Sequence, residues 1–188
     1  DIPKLNLLGL VAFIDPVRKE VKKSIDNCLK SDIKVVMITG DHPLTAYSIA
    51  KKLDIASDYG YVATGEDIEK NLLLGVKEFD KFVSSKTVFS RVTPIQKLEI
   101  VESYKRQGEY VAVTGDGVND APALRSANIG VAMGSGTDVA KETSNMIIVD
   151  DNFMSIVAGI EEGKNAYANI RKVIYMLLSC GLAEVLFF

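Results

Sequence analysis

The stretch Thr114-Gly115-Asp116-Gly117-Val118-Asn119-Asp120 decides the fold that we predict for this chain. An apolar run at residues 110–113 precedes it, and a helix-forming run at residues 121–127 follows it. This order predicts a strand, a tight glycine turn and a helix. Because open α/β sheets place their ligands at the carboxyl ends of their strands, the loop is predicted to form a binding site. The alternative is an Asp- and Asn-rich surface turn.

The side-chain oxygens of this loop favour magnesium over other metals. Mg²⁺ is usually held by one or two carboxylates together with water and phosphate oxygens. The loop carries two aspartates and an asparagine, so the candidate metal residues are Asp116, Asn119 and Asp120.

Two further segments supply candidate phosphate-binding groups. Thr39-Gly40-Asp41 follows an apolar run at residues 34–38, and its hydroxyl and backbone amides are suited to holding phosphate oxygens. Lys97 lies near the start of a predicted helix, where its charge and the helix N-terminus would both stabilise a phosphoryl group. The alternatives are a helix N-cap for Asp41 and a solvated surface side chain for Lys97. The glycine-rich residues 134–137 are interpreted as a turn.

Strand and helix patterns alternate along the chain, which predicts a mostly parallel sheet covered by helices on both faces. The predicted strands are residues 7–14, 34–38, 61–63, 86–89, 109–113, 129–133 and 146–149. The predicted helices are residues 17–29, 45–53, 67–75, 94–107, 121–127 and 138–142, and a long one from residue 153 to the end. Residues 57–86 have the weakest pattern.

Composition excludes several classes of function. The net charge of −3 and the lack of a basic stripe with interleaved aromatics argue against a nucleic-acid partner. Cys28 and Cys180 are the only cysteines and are far apart, so neither a disulfide framework nor a zinc site is predicted. His42, the single histidine, is interpreted as a loop residue and not as a metal ligand.

The C-terminal residues 173–188 are apolar apart from Ser179 and Glu184, and they follow Arg171 and Lys172. This run is shorter than the roughly 20 residues that span a bilayer, but basic residues before an apolar run suit a helix that enters a membrane from the cytoplasm. We therefore expect the truncated start of a transmembrane helix; the alternative is a helix packed on the core. Since the chain begins at Asp1, we also expect a piece of a longer protein.

Several motifs, in this order, resemble the phosphorylation domain of P-type cation-transporting ATPases. They are the segments at residues 15–18, 38–41, 88–97, 114–124, 133–142 and 150–153, of which 114–124 (TGDGVNDAPAL) is the most specific. The resemblance implies an α/β, haloacid-dehalogenase-like Rossmann fold with a mostly parallel sheet and a long C-terminal stalk helix. It divides the chain into part of the phosphorylation domain at 1–152, the stalk helix at 153–172 and the start of a transmembrane helix at 173–188.

The same resemblance implies a role for each matching residue. Lys97 would stabilise the phosphoryl charge and Asp116 would bind Mg²⁺, with ATP as the substrate of the full-length protein. The other matching residues fall into three groups: Thr39, Gly40 and Asp41 beside the phosphoryl group and nucleotide; Asn119 and Asp120 around the metal and phosphate; and Asp15 and Arg18 near the hinge to the nucleotide domain.

The chain departs from the family pattern because it contains no DKTGT motif, whose aspartate takes the γ-phosphate of ATP in such pumps. The nucleotide and actuator domains and most transmembrane helices are also missing. We therefore expect an incomplete sheet that lacks the strand of the nucleophile, and a chain that is inactive without the rest of its polypeptide. The open sheet edge and the apolar tail predict that the isolated chain self-associates.

The transported ion is predicted from the C-terminal half. Residues 150–153 and 161–168 resemble the calcium and sodium/potassium-type pumps, and Glu184 falls where calcium-type pumps place an ion-binding glutamate. Gly181 stands where many of those pumps have an asparagine, yet calcium remains the favoured cation. The resemblance also implies an integral membrane protein in contact with lipid, with this segment on the cytoplasmic side.

Two other functions remain open from the sequence. A soluble phosphatase of the dehalogenase-like superfamily shares the loop of Asp116 and the lysine, but it needs a DxD nucleophile that is missing here. A non-catalytic module would keep the Mg²⁺ and phosphate loops for binding alone.

Overall fold

A computed structural model describes residues 8, 9, 11, 17 and 19–187 of the chain. Asp15 and Arg18 lie outside the described residues, and so does most of the predicted first strand at 7–14. The described part alternates strands and helices, and its α/β class is the one that the sequence predicts.

The strands form two separate parallel sheets of three strands each, whereas the sequence pattern predicts a single sheet. In the first sheet the central strand is β3, and in the second it is β5. The first sheet contains β1 (Met37–Ile38), β2 (Val62–Thr64) and β3 (Val88–Ser90), in the order β1-β3-β2. The second contains β4 (Ala112–Gly115), β5 (Ile129–Met133) and β6 (Met146–Ile148), in the order β4-β5-β6.

Helices connect the strands, as parallel pairing requires. They are α1 (Lys19–Lys30), α2 (Pro43–Lys52), α3 (Gly65–Leu72), α4 (Val76–Ser84), α5 (Pro94–Arg106), α6 (Ala121–Ser126), α7 (Asp138–Thr143) and α8 (Phe153–Phe187). Short 3₁₀ turns occupy Tyr59–Tyr61 and Val118–Asp120.

The start of α5 is defined by its cap. The Thr93 hydroxyl accepts a hydrogen bond from the Gln96 amide at 3.3 Å, and the Gln96 side chain accepts one from the Thr93 amide at 3.0 Å. This reciprocal capping box satisfies two donors of the first turn, and Pro94 takes the first helical position, where it is tolerated. As a result, Lys97 lies in the first turn of α5.

The central strands are buried and the neighbouring edge strands are not. All three residues of β3 are fully buried, and Phe89 packs with Phe79, Ile68 and Ile100 in the main apolar cluster. In β4, by contrast, Ala112 and Thr114 are exposed. Among the described residues, β1 and β4 each pair on one side only, which agrees with the expected incomplete sheet.

The predicted helix at 67–75 is wrong in its bounds, and α4 was not predicted. The helix begins earlier because the Thr64 hydroxyl and the Asp67 carboxylate form a capping box. It ends at Leu72, and Gly75 then adopts φ +105°, a conformation that few residues other than glycine tolerate. Because the residues around this glycine are apolar, hydrophobic periodicity does not predict the break between α3 and α4.

Strand bounds differ from the prediction where the partner strand sets them. The strand predicted at 34–38 is shorter in the structure, where only Met37–Ile38 (β1) pairs, opposite Val88 and Phe89 of the short β3. Pairing with β5 carries β4 as far as Gly115, two residues beyond the predicted 109–113, while Tyr110 is left outside the strand and exposed.

Helix α8 is a single helix of 35 residues, roughly 52 Å long at 1.5 Å per residue. Its first turns pack on α1, where Val157 is buried, and residues 161–187 are exposed. No helix in the described part of the chain is both long enough and apolar enough to span a bilayer.

Asp80 of α4 ties this helix to α5. Its carboxylate accepts hydrogen bonds from Arg106 Nη2 and from the buried Ser103 hydroxyl, both at 2.7 Å. The hydrogen bond from Arg106 lowers the pKa of Asp80, partial burial opposes this effect, and the Ser103 hydroxyl and the Arg106 charge add to it.

Asp80→Asn should therefore destabilise the chain in a pH-dependent way. The folded-state pKa of Asp80 lies below its unfolded value near 3.9. Its contribution is thus complete above that value and is lost as the pH falls through the folded pKa. We expect urea midpoints of the wild type and Asp80→Asn to differ at pH 7 and to converge as the pH falls below about 4.

The control for this comparison is Glu78→Gln, which removes an exposed ion pair with Lys81 at 3.1 Å. It should change stability by less than about 1 kcal/mol at every pH. A difference between wild type and Asp80→Asn that stays constant from pH 7 to pH 2.5 (roughly the span over which Asp titrates) would contradict the assignment.

Candidate functional site

The loop after β4 is organised around the buried carboxylate of Asp120. One oxygen, Oδ2, accepts hydrogen bonds from the amides of Asp116 and Gly117, both at 3.2 Å. The other oxygen, Oδ1, accepts one from Lys97 Nζ at 2.5 Å. Asp120 therefore holds the loop from within and connects it to α5.

The Lys97–Asp120 pair is largely shielded from solvent, with side chains 22% and 12% exposed. Burial raises the pKa of Asp120, but the hydrogen bond and charge of Lys97 and the two loop amides outweigh it, so the net pKa is lowered. Asp120 is therefore ionised at neutral pH. The alternative of a solvated surface Lys97 is wrong, because its side chain is mostly shielded and its ammonium pairs with Asp120.

The position of the Asp120 side chain requires a glycine at position 115. A Cβ added there would lie 2.5 Å from the Cβ of Asp120 and 2.8 Å from its Oδ2. Any side chain at this position would push Asp120 away from the two amides that donate hydrogen bonds to it. Gly115 is thus a site residue that we did not single out from the sequence, although it lies within the quoted motif.

Asp116 and Asn119 present their side chains to solvent. Within the described residues, neither side chain makes a hydrogen bond or ion pair. No group of three or more His, Cys, Asp or Glu residues in the described part could hold a metal ion. An available carboxylate with a neighbouring amide oxygen nevertheless suits Mg²⁺, which takes one or two carboxylates and completes its shell with water and phosphate.

A cavity of about 280 Å³ adjoins Asp116 where β4 and β5 end. Its walls come from the start of α1, the ends of β4 and β5, and the start of α8. The lining residues are Glu20, Val21, Asp116, Met133, Ser135, Asp151, Asn152 and Phe153. Its volume lies just below the range of about 300–1,000 Å³ for small-molecule sites, which suits an ion together with a small group.

Thr39, Gly40 and Asp41 lie after β1, at the same end of a strand as the Asp116 loop but in the other sheet. Their position is set by backbone bonds to the segment before α5: Arg91 N donates to Asp41 O at 3.2 Å and Val92 N to Thr39 O at 3.3 Å. No hydrogen bond or ion pair among the described residues joins them directly to the Asp116 loop. Their link to it runs through α5 and Lys97.

The structure decides the alternative for Asp41 and shows what the Thr39 hydroxyl contacts. The side chain of Asp41 does not cap α2; His42 does so, with its Nδ1 accepting from the Leu44 amide at 3.3 Å. The Thr39 hydroxyl accepts from the Asp41 amide at 3.1 Å. Its hydrogen is therefore available to donate to a ligand.

Glu184 lies on α8, roughly 46 Å along the helix from Phe153, and is exposed. The structure brings it to none of the other candidate residues. Its role, like those of Asp15 and Arg18 outside the described residues, stays a prediction.

The chain matches known proteins in sequence over almost its whole length. The model of a hydrolase family, haloacid dehalogenase-like hydrolase, matches residues 2–128. Calcium-transporting ATPase 1 of Bacillus cereus is 48% identical over 183 residues, which is 97% of this chain and 20% of that protein. P-type sodium-transporting ATPase4 of Toxoplasma gondii is 44% identical over 200 residues, 98% of this chain and 14% of that protein.

The fold also matches solved structures. A zinc-transporting PIB-type ATPase in the E2.Pi state is 30% identical, with a TM-score of 0.63 over 84% of this chain and 21% of that one. The chain thus spans about a fifth or less of the length of these relatives. It belongs to the haloacid dehalogenase-like hydrolase family, in the group of the P-type ATPases.

Proposed function

We propose that this chain is the magnesium- and phosphate-binding half of the phosphorylation domain of an ATP-driven cation pump. The observation that carries the proposal is the Lys97–Asp120 pair at 2.5 Å, which brings a lysine to the loop that presents the Asp116 carboxylate. A cation next to a metal-binding carboxylate is what phosphoryl transfer requires, because that chemistry depends on positioning and on neutralising phosphate charge.

In the full-length protein the γ-phosphoryl group of ATP would pass to an aspartate outside this chain, with ADP as the leaving group. Lys97 has three donors, of which Asp120 takes one, so the ammonium can also donate to phosphoryl oxygens. Asp116 and Asn119 would hold Mg²⁺, which supplies further neutralisation of the phosphate charge when bound. Asp120 keeps the loop in shape through the amides of Asp116 and Gly117.

The segment after β1 would bind the phosphoryl group from the other side. The hydrogen of the Thr39 hydroxyl is available, as described above, and can donate to a phosphoryl oxygen. The space around the Cα of Gly40 is open within 4 Å, so a ligand can approach the backbone there. Asp41, exposed beside them, is proposed to lie near the nucleotide.

Among the described residues, β1 and β4 each pair along one edge only, and the other edge suits a strand from another part of the polypeptide. Both strands end in a proposed phosphate-binding loop, so a parallel strand between them would deliver its C-terminal residue to the site. We propose that the phosphorylated aspartate arrives in this way, and that the chain alone cannot form the phosphoenzyme.

The cation and the membrane are proposed from α8 and from the relatives. Two Bacillus proteins that are 48% and 49% identical are calcium-transporting ATPases. Glu184 would be an ion ligand, because an ionisable side chain in an apolar helix is costly and usually functional. The full-length protein is therefore proposed to be an integral membrane protein that transports Ca²⁺, with residues 1–152 on the cytoplasmic side.

The first prediction concerns Asp116→Ala in the full-length protein. Phosphoenzyme formed from radiolabelled ATP with Mg²⁺ and Ca²⁺ should be abolished, because the carboxylate that holds the metal ion is lost. Glu78→Gln on α4 serves as the control and should keep the wild-type level. A normal level of phosphoenzyme in Asp116→Ala would show that Asp116 is not a ligand of the metal ion. Phosphorylation of the wild type that does not depend on Ca²⁺ would exclude calcium as the transported cation.

The second prediction separates the two roles of Lys97. Lys97→Met should lose at least about a hundredfold in phosphorylation rate. It should also lose about 1–3 kcal/mol of stability, because the Asp120 carboxylate is left without its charged partner.

The matched variant for this test is Lys97→Met combined with Asp120→Asn, which removes the unpaired charge. Most of the stability should return, while phosphorylation should stay lost. Recovery of both together would mean that Lys97 acts only through the loop structure.

The third prediction concerns the isolated chain, which we propose self-associates through its open edges and the apolar end of α8. Light scattering at high protein concentration should show dimers or larger species. A variant that ends at Lys172 lacks the apolar end of α8 and so distinguishes the two surfaces. If it still associates, the contact must use the sheet edges. A monomer at every concentration would contradict the proposal.

A further inference from the structure

We propose that Gly136 and Thr137, in the loop after β5, are positioning residues that hold Asp116 for its metal ion. The sequence pattern of this loop, residues 134–137, predicts only a turn. The inference rests on the proposed function, because it assumes that Asp116 binds Mg²⁺.

The loop contacts the main chain of Asp116 directly. Thr137 N donates a hydrogen bond to Asp116 O at 2.8 Å. A Cβ added to Gly136 would lie 2.9 Å from both Asp116 O and Met133 O, and 3.1 Å from the Cα of Asp116. The approach is therefore so close that only glycine fits.

Asp116 is consequently held at both ends of its backbone by different elements. Its amide donates to Asp120 Oδ2 at 3.2 Å, and its carbonyl accepts from Thr137. Its carboxylate, by contrast, has no partner among the described residues. A residue with a fixed main chain and an available carboxylate is what an oriented metal ligand requires.

The loop is itself firmly attached, so it can act as a support. Gly134 N donates to Ile148 O at 2.8 Å and Gly136 N to Met133 O at 3.0 Å, which ties it to β6 and β5. The Thr137 hydroxyl accepts from the Ala140 amide at 3.4 Å and caps α7. Thr137 thus caps a helix with its side chain and supports Asp116 with its amide.

Displacing such a support should weaken metal binding. Groups that orient a metal ligand without touching the metal typically change affinity by about 10- to 100-fold when they are altered. Because Asp116 supplies a carboxylate ligand of the proposed site, a shift of its main chain moves that ligand directly.

The chain offers a matched control for Gly136→Ala. A Cβ added to Gly134 would lie 2.8 Å from Val149 O and 2.9 Å from Ile148 O. The crowding is as severe as at Gly136, and it lies in the same loop, but it presses on the end of β6 and not on Asp116. The two alanine variants should therefore lose similar stability and differ in metal affinity.

Thr137 offers a second pair of variants that does not depend on crowding at glycine. Its φ is −65°, which proline adopts without strain. Thr137→Pro removes both the capping hydroxyl and the amide donor to Asp116, whereas Thr137→Ala removes the hydroxyl alone. The proline ring also places its Cδ where the amide hydrogen points, so the comparison tests the whole contact of residue 137 with Asp116 O, its hydrogen bond and its spacing together.

The experiment measures Mn²⁺ binding to the 188-residue chain from the electron paramagnetic resonance signal of the free ion, together with the urea midpoint of each variant. Mn²⁺ is the probe because it prefers the same oxygen ligands and octahedral geometry as Mg²⁺. We expect Gly136→Ala to bind about tenfold more weakly than Gly134→Ala, and Thr137→Pro about tenfold more weakly than Thr137→Ala.

Equal affinities within both pairs would overturn the inference and leave the proposed function intact. Asp116→Ala distinguishes the other failure: if this variant binds Mn²⁺ as the wild type does, the metal ion is not at Asp116. In that case the proposed metal site and the positioning role fall together. If Gly136→Ala does not fold, the Thr137 pair decides the question.

Discussion

The ion pair between Lys97 and Asp120 is the interaction on which the site depends. Lys97 belongs to the helix that leaves the first sheet, and Asp120 to the loop that leaves the second. Their contact at 2.5 Å therefore joins the two halves at the point where both present candidate phosphate-binding groups. The second oxygen of Asp120 accepts hydrogen bonds from the amides of Asp116 and Gly117, so the ion pair also fixes the backbone of the loop.

Glycines make this arrangement possible by allowing backbone segments to touch. Gly115 lies against Asp120, and Gly136 lies against Asp116, each at a distance that a Cβ would not permit. Close contacts with main chain thus position both aspartates, and Asp120 is also held by its ion pair with Lys97. Such a site keeps the Asp116 carboxylate available and confines the ionic interaction to Asp120.

The division into two sheets places one edge strand of each sheet, β1 and β4, beside the candidate site. Buried central strands, β3 and β5, carry the cores, whereas β1 and β4 end in the site and pair on one side among the described residues. Edge strands normally need protection, yet no strand among the described residues pairs with the second edge of β4. An incoming strand would complete the pairing and the site in one step, which couples assembly of the domain to its chemistry.

The sequence by itself determined the α/β class, strand β5 at 129–133, the start of α5 at Pro94, and the loop with Asp116. These features depend on residues close in the chain: apolar periodicity, a capping threonine, and a glycine turn after a strand. Tertiary structure alone decided that Lys97 meets Asp120, 23 residues away, that Gly136 presses on Asp116, and that α3 and α4 are separate helices. Contacts between distant segments depend on how the sheets and helices pack. Local sequence patterns do not contain this information, because they involve only residues that are close in the chain.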